Sequence, residues 1–217
     1  MSDLADDMRV AGTAVVLRDG DEGLEVLLLR RPATGSFPGA WVFPGGRVDP
    51  GDESAGDGEE QAALRAAVRE TREEAGIGIR DLATLSRWVP PVETPVRFRT
   101  WFFLARECGD QLKPNAGEIE EAVWMTPRRA FDRHATGALT LFPPTWVTLH
   151  ALLEHRRVDD AFASLSAVAR YETHMQKLES GMRALWAGDE EHPGAPGAAG
   201  ARHRLTMGTP PWTYERD

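Results

Sequence analysis

Apolar and polar positions along the chain change period several times, and each change marks an element. Residues 9–18 form a β-branched run, with Val10, Thr13, Val15 and Val16, that Asp19-Gly20 ends; this predicts a strand. Residues 24–31, LEVLLLRR, read as its buried hairpin partner. Pro32 to Gly51 is a Gly- and Pro-rich loop interrupted by the apolar run Trp41-Val42-Phe43. Residues 59–75 are rich in Ala, Glu and Arg and predict a helix, with Asp57 and Glu60 as a capping box and Gly76 as its stop. Residues 82–89 and 96–105 predict strands. In the second, Val96, Phe98, Thr100 and Phe102 share one face, and Arg97, Arg99, Trp101 and Phe103 the other. Ala122 to Met125 predicts a short strand, Thr126-Pro127 a helix start, and Pro143-Pro144 a further helix over 145–155.

Beyond residue 155 the apolar positions Val158, Phe162, Leu165 and Ala169, then Met175, Leu178, Met182 and Leu185, recur at helical spacing. They predict a helical C-terminal extension over 156–187, in which Met175, Leu178 and Met182 read as a packing stripe more than a binding surface; the helices are also candidates for homodimerisation. Residues 188–200 have linker composition, and 201–217 regain Leu, Trp and Tyr, as expected of a tail that docks back on the body. The body itself, 9–155, is mixed α/β.

Composition narrows the function classes. At 217 residues, 41% hydrophobic and 27% charged, one core suffices without staples. The lone Cys108 excludes a disulfide framework or a zinc–thiolate cluster and fits a reducing, cytoplasmic compartment. No stretch reaches the ~20 apolar residues of a membrane span, and the acidic start MSDLADDMRV has no apolar signal core. A net charge of −9 argues against a nucleic acid polymer as partner. A phosphorylated small molecule remains open, provided a metal supplies the positive charge.

The chemistry-bearing residues sit in two stretches. On a helix, Glu70, Glu73 and Glu74 at i, i+3 and i+4 project from one face. Three clustered carboxylates repel unless they face water or hold a cation, and oxygen ligands suit Mg2+ or Mn2+. Arg69, four residues before Glu73, can pair with it. Upstream, Phe43-Pro44-Gly45-Gly46 turns the chain sharply out of an apolar strand, and its glycines allow close backbone approach.

Together these stretches resemble the Nudix box, G-x5-E-x7-R-E-U-x-E-E-x-G-U with U apolar. Gly46, Arg69, Glu70, Glu73, Glu74, Gly76 and Ile77 match in order and identity. Asp52, or Glu53 one later, stands where the pattern has its first Glu, and Thr71 occupies an apolar position. Sixteen residues separate Asp52 from Arg69, nine more than the pattern has, so a Gly- and acid-rich insertion around ESAGDGEE lengthens the loop before the helix. The stretch LLLRRPATGSFPGAWVFPGG, the RF-x-T-x-FF strand and the Pro-Pro-Thr before a helix are further similar to the coenzyme A diphosphatase-type branch, the peroxisomal type and its bacterial relatives.

The resemblance implies a Nudix-type α/β/α sandwich with a mixed sheet and hydrolysis of a diphosphate in a nucleoside diphosphate-linked small molecule, with coenzyme A or acyl-coenzyme A as first choice. ADP-sugars, dinucleoside polyphosphates and oxidised nucleotides are the alternatives, and a non-catalytic nucleotide-binding module is the alternative from another class. It also implies roles. Glu70 and Glu74 would ligate Mg2+ or Mn2+ directly, Glu73 directly or through water, with the Gly45 carbonyl beside them. Arg69 would orient a glutamate. Glu118, Glu120 and Glu121 are candidates for the general base, and Arg30, Arg31, Arg97 and Arg99 for phosphate contacts. Trp41 and Trp101 could stack on a base or belong to the core.

Overall fold

The computed structural model describes residues 8–35 and 38–217. The acidic start, 1–7, and Ser36-Phe37 of the loop motif lie outside the described residues.

Strand β1 (Arg9–Gly20) is the axis of the molecule. It pairs antiparallel with its hairpin partner β2 (Gly23–Arg30) and with β4 (Gly45–Arg47), and parallel with β6 (Phe98–Glu107). Beyond β2 lie β3 (Trp41–Val42) and β7 (Glu121–Met125); beyond β6 lie β5 (Ile79–Val89) and β8 (Ala169–Glu172), the last parallel to β5. The result is a mixed eight-stranded sheet. Because side chains alternate along a strand, it presents two apolar faces.

Helix α1 (Glu59–Ala75) covers the first face, where Ala14, Val16, Leu27, Leu29 and Phe103 are buried. Its inward side is almost all alanine: Ala62, Ala63, Ala66 and Ala67. The strand beneath answers with Gly12, where a Cβ would lie 1.8 Å from the Ala63 carbonyl oxygen. Helix and sheet can approach this closely only because both surfaces are small. Helix α1 ends at Gly76 in the left-handed conformation, as the sequence predicts. Its start differs: the N-cap is Gly58, and the Asp57 carboxylate pairs with Arg65 at 2.8 Å instead of capping.

The second face carries Val15, Leu17, Val26, Leu28, Phe102 and Leu104. It is covered by α2 (Pro127–Ala135), α3 (Pro143–Leu152) and α4 (Val158–Ala163) together with the C-terminal segment. Thr126 caps α2, accepting from the Arg129 amide at 3.2 Å.

The helical extension expected over 156–187 is absent. Only α4 is helical there; β8 follows, then β9 (His174–Lys177), β10 (Met182–Leu185), β11 (His203–Met207) and β12 (Thr213–Arg216). The last four form a second, antiparallel sheet. Strand register replaces the helical spacing: Met175 lies in a cross-strand row with Ala184, Leu205 and Tyr214, while Met182 and Leu185 fall on opposite faces of β10. Gly181, at φ +100°, turns β9 into β10 and cannot sit in a helix at that angle.

The linker-like stretch 188–200 is also fixed. Asp189 is fully buried, accepts from the His203 and Glu191 amides at 2.8 and 2.9 Å, and is forked by Arg204. Burial opposes its charge, but these donors win and bring its pKa down to about 2. The segment 201–217 forms β11 and β12, with Leu205 and Met207 buried in the core. The second sheet joins the main core through aromatic contacts: Trp88 stacks on Tyr171 at 3.8 Å, and fully buried Trp186 meets both edge-on. Among the described residues no helix is long and apolar enough to cross a membrane.

Because this core is continuous, Trp186→Ala should cost about 3–5 kcal/mol. Urea unfolding should remain a single transition at lower midpoint. Two separate transitions, or a loss under about 1 kcal/mol, would mean that the second sheet is an appendage.

Candidate active site

The glutamates of α1 stand over the turn between β3 and β4. Glu74, in the last turn of the helix, is 2% exposed. One carboxylate oxygen accepts the Gly45 amide at 2.9 Å and the other an Arg31 guanidinium nitrogen at 2.7 Å. One turn earlier, Glu70 lies against Gly46, where a Cβ would come within 2.3 Å of a Glu70 carboxylate oxygen. Any side chain at 46 would push this carboxylate away, which gives the glycine of the motif a steric reason. Glu73 points outward and is half-exposed.

Arg69 organises the outer part of the site. Through one nitrogen it reaches Glu70 at 2.9 Å and Glu73 at 3.0 Å; through Nε and the other nitrogen it forks Asp52 at 3.2 and 2.8 Å. It also donates to the Arg47 carbonyl at 3.0 Å. Asp52 therefore fills the first acidic position of the box, and Glu53 is exposed. Asp52 lies at the end of a 3-10 turn, Pro50–Asp52, and receives the Asp49 amide at 2.9 Å. Burial opposes its charge, yet the Arg69 fork and this amide hold its pKa below the usual carboxylate range. The sequence shows an acid near this position but not that it clamps Arg69 across the insertion.

Two of these glutamates, Glu70 and Glu74, are held above the usual carboxylate range. Burial drives Glu74 up from 4.5 to about 7; the Gly45 amide and Arg31 oppose the shift, and the charges of Glu70 and Glu118 add to it. Burial also raises Glu70, against the pull of Arg69, and again Glu118 contributes. Glu118 is thus close enough to act on both. The reason is the loop before β7: the Lys113 and Asn115 amides bond the Ala75 and Glu74 carbonyls at 2.9 and 3.0 Å, tying it to the end of α1. Glu120 and Glu121 turn the other way and pair with Arg30 at 3.4 and 3.5 Å. Of the three acids in this loop, Glu118 is the one brought to the cluster.

Arg97 and Arg99 are not brought to it. Arg99 pairs with Glu59 at 3.0 Å at the opposite end of α1, and Arg97 donates to the Pro90 carbonyl at 3.2 Å. Fifteen helical residues, about 22 Å of rise, separate Glu59 from Glu74. Strand alternation gives these arginines the right face, but the parallel register of β1 and β6 sends them to the wrong end. Trp41 and Trp101 are buried, and the Trp101 indole donates to Glu59 at 2.8 Å, so both belong to the core.

The donor chemistry suits a hard divalent cation: carboxylates on one helical face, one of them buried with raised pKa, beside a glycine turn. Among the described residues, however, no group of three or more Asp, Glu, His or Cys side chains is already gathered around a common point. The carboxylates are shared between Arg31 and Arg69 instead.

A mixed sheet with a carboxylate helix packed on a Gly-Gly turn defines a class. The family model described as NUDIX domain matches residues 8–144, and the chain belongs to that family. It is 35% identical over 118 residues to the CTP pyrophosphohydrolase of Escherichia coli (strain K12), covering 54% of this chain and 75% of that protein. It is 32% identical over 160 residues to the NAD-capped RNA hydrolase NudC of Deinococcus radiodurans, covering 72% of this chain but 47% of that protein, so it spans about half of this relative. Among solved structures, a NUDIX hydrolase from Alicyclobacillus acidocaldarius shares the fold with a TM-score of 0.64 at 30% identity, covering 74% of this chain and 97% of that one. These relatives are hydrolases, and members of the family are generally dependent on a divalent metal. The reaction class is accordingly that of a Nudix-type pyrophosphatase.

The Glu74 shift sets a pH dependence. A carboxyl whose pKa is higher folded than unfolded contributes stability that is complete below pH 4.5 and is lost as pH rises through about 7. In EDTA, wild type should therefore lose stability relative to Glu74→Gln across that window, on the order of 3 kcal/mol. Parallel pH profiles for the two proteins, measured by chemical denaturation, would show that Glu74 titrates normally.

Proposed function

We propose that this protein is a divalent-metal-dependent diphosphatase that hydrolyses the anhydride of a nucleoside diphosphate-linked small molecule, using Mg2+ or Mn2+. The observation that carries this reading is the Glu70–Glu73–Glu74 face seated on Gly45-Gly46, with Glu118 beside it. Glu70 and Glu74, with Glu73 at the rim and the Gly45 carbonyl nearby, would hold the cation. When bound, it supplies neutralisation of phosphate charge and a lowered pKa for an attacking water.

The chain's own residues do the rest. The Asp52–Arg69 fork fixes Glu70 and Glu73. Glu118, which has no ion pair among the described residues, accepts the proton of the attacking water on its carboxylate. Arg31, and Arg30 beside it, meet the phosphates. The intact carboxylate set favours turnover over a non-catalytic binding role.

The relatives' names add two kinds of nucleotide anhydride, CTP and the NAD cap of an RNA, as substrates of those proteins. For this chain we place nucleoside triphosphates and nucleoside diphosphate-linked molecules first. Coenzyme A is the finer reading of the loop and strand motifs alone. The distance of Arg97 and Arg99 from the cluster removes two of the four cations that reading had for its 3′-phosphate.

Activity should require Mg2+ or Mn2+ and vanish in excess EDTA. Glu70→Gln should lower kcat by about 10³-fold, a loss of about 4 kcal/mol in transition-state stabilisation. Glu118→Gln should lower it by about 10²–10⁴-fold with KM little changed. A product-resolved panel of CTP, ADP-ribose, NADH, a dinucleoside polyphosphate, coenzyme A and dephospho-coenzyme A assigns the substrate. Full activity of Glu70→Gln would overturn the site, and preference for coenzyme A over dephospho-coenzyme A would restore the finer reading.

A further inference from the structure

Arg31 raises a question that the proposed chemistry leaves open. It holds Glu74, a ligand in the proposed reading, through one of the two oxygens open to a cation. Each oxygen of the Glu74 carboxylate carries a donor: Arg31 on one at 2.7 Å, the Gly45 amide on the other at 2.9 Å. The Gly45 amide belongs to a strand and cannot withdraw. The Arg31 backbone is likewise fixed, its amide bonded to the Ala40 carbonyl at 2.9 Å. Its guanidinium is different: it lies at the end of a long side chain that is 27% exposed, whereas the Glu74 side chain is 2% exposed. Of the groups holding Glu74, only this one has room to leave. The neighbouring Arg30 is already engaged by Glu120 and Glu121.

We propose that Arg31 is the resident counterion of the metal-free site, that a divalent cation displaces it from Glu74, and that the freed guanidinium then turns to the phosphate of the substrate. The inference rests on the metal-dependent reading above. Its logic is electrostatic. A buried carboxylate without a cation is costly, so the folded chain supplies one of its own. A cation with two charges makes that one redundant, and repulsion between them drives Arg31 outward. A guanidinium released there is well suited to a phosphate, which it can meet with two parallel donors. Arg31 is thus a positioning residue for Glu74 in one state and a phosphate ligand in the other.

The two roles give opposite signs in one variant. In Arg31→Gln the competitor is gone, so Mn2+ should bind about tenfold tighter, read by electron paramagnetic resonance of free Mn2+ without substrate, while KM for the nucleotide rises about tenfold. Arg31→Lys keeps the charge but not the fork and should fall between on both measures. In the wild-type protein, the Arg31 Nε–H resonance should shift on addition of Mg2+ alone, which needs no variant to fold. If Arg31→Gln binds Mn2+ more weakly than wild type or equally well, or if the Arg31 resonance does not move on Mg2+ saturation, the displacement is wrong. If wild type binds no Mn2+ at all, the metal-dependent reading itself fails.

Discussion

The depth at which α1 lies on the sheet is the constraint on which the site depends. Glu74 can reach the Gly45 amide only because alanines 62, 63, 66 and 67 present almost no bulk and Gly12 presents none. A helix with leucines on that face would ride some ångströms higher, and its carboxylates would be solvated side chains on a surface helix. At the observed depth the same side chains lose water, and the chain must supply partners for them. Arg31 and Arg69 do so, and both are held from outside the helix, Arg31 by its amide bond to the Ala40 carbonyl just beyond β2 and Arg69 by the Asp52 turn. An apolar packing choice therefore determines the electrostatics: close approach produces burial, and burial raises the pKa of Glu74 and creates its need for a cation.

The opposite face of the sheet answers a different demand. On the face of β1, β2 and β6 away from α1, Val15, Leu17, Val26, Leu28, Phe102 and Leu104 are buried. Three short helices leave part of that face to the C-terminal segment, which closes it with Ala184, Trp186 and Leu205 packed beside Tyr171 of β8. Its connection between β10 and β11 has no apolar core of its own and is held by Asp189 and Arg204. A buried pair of this kind is a poor source of net stability but a strong specifier of geometry, since removing either partner strands the other. The site and the second sheet lie on opposite faces, so the second sheet supports the strands that bear the site without entering the chemistry.

What the sequence discloses and what it hides divide along range of interaction. The α1 glutamates, Gly76, the Thr126 cap and the β1–β2 hairpin are local, and their periods and caps survive in the fold. Asp52 was visible as an acid near the right place, but its fork with Arg69 spans the insertion and only the folded chain distinguishes it from Glu53. Arg97 and Arg99 fail for a topological reason: alternation assigns a face, not an end, and the end is set by a parallel pairing between strands some ninety residues apart. Glu118 separates from Glu120 and Glu121 through two backbone bonds to the end of α1. The C-terminal strands were hidden because their apolar residues fit helical spacing by coincidence; the contrary signal was Ser180-Gly181 inside the supposed helix.

The insertion in the box shows why such a motif can lengthen without losing its chemistry. The extra residues lie between Asp52 and α1, and Arg65 and Arg69 reach back from the second and third turns of the helix to tie both ends: Arg65 to Asp57 and the Asp52 carbonyl, Arg69 to the Asp52 carboxylate. A loop clamped at both ends changes its closure entropy only slowly with length, by about 0.6 kcal/mol for each doubling. The carboxylates meanwhile take their positions from the last turns of the helix and from its contacts with Gly45 and Gly46. What the site cannot tolerate is a shift of the clamp itself. If Asp52 moved, Arg69 would lose its fork, and with it the anchor that orients the Glu70 and Glu73 carboxylates. The spacing that matters here is therefore a distance in space between one aspartate and one arginine, and the count of residues between them is free to vary.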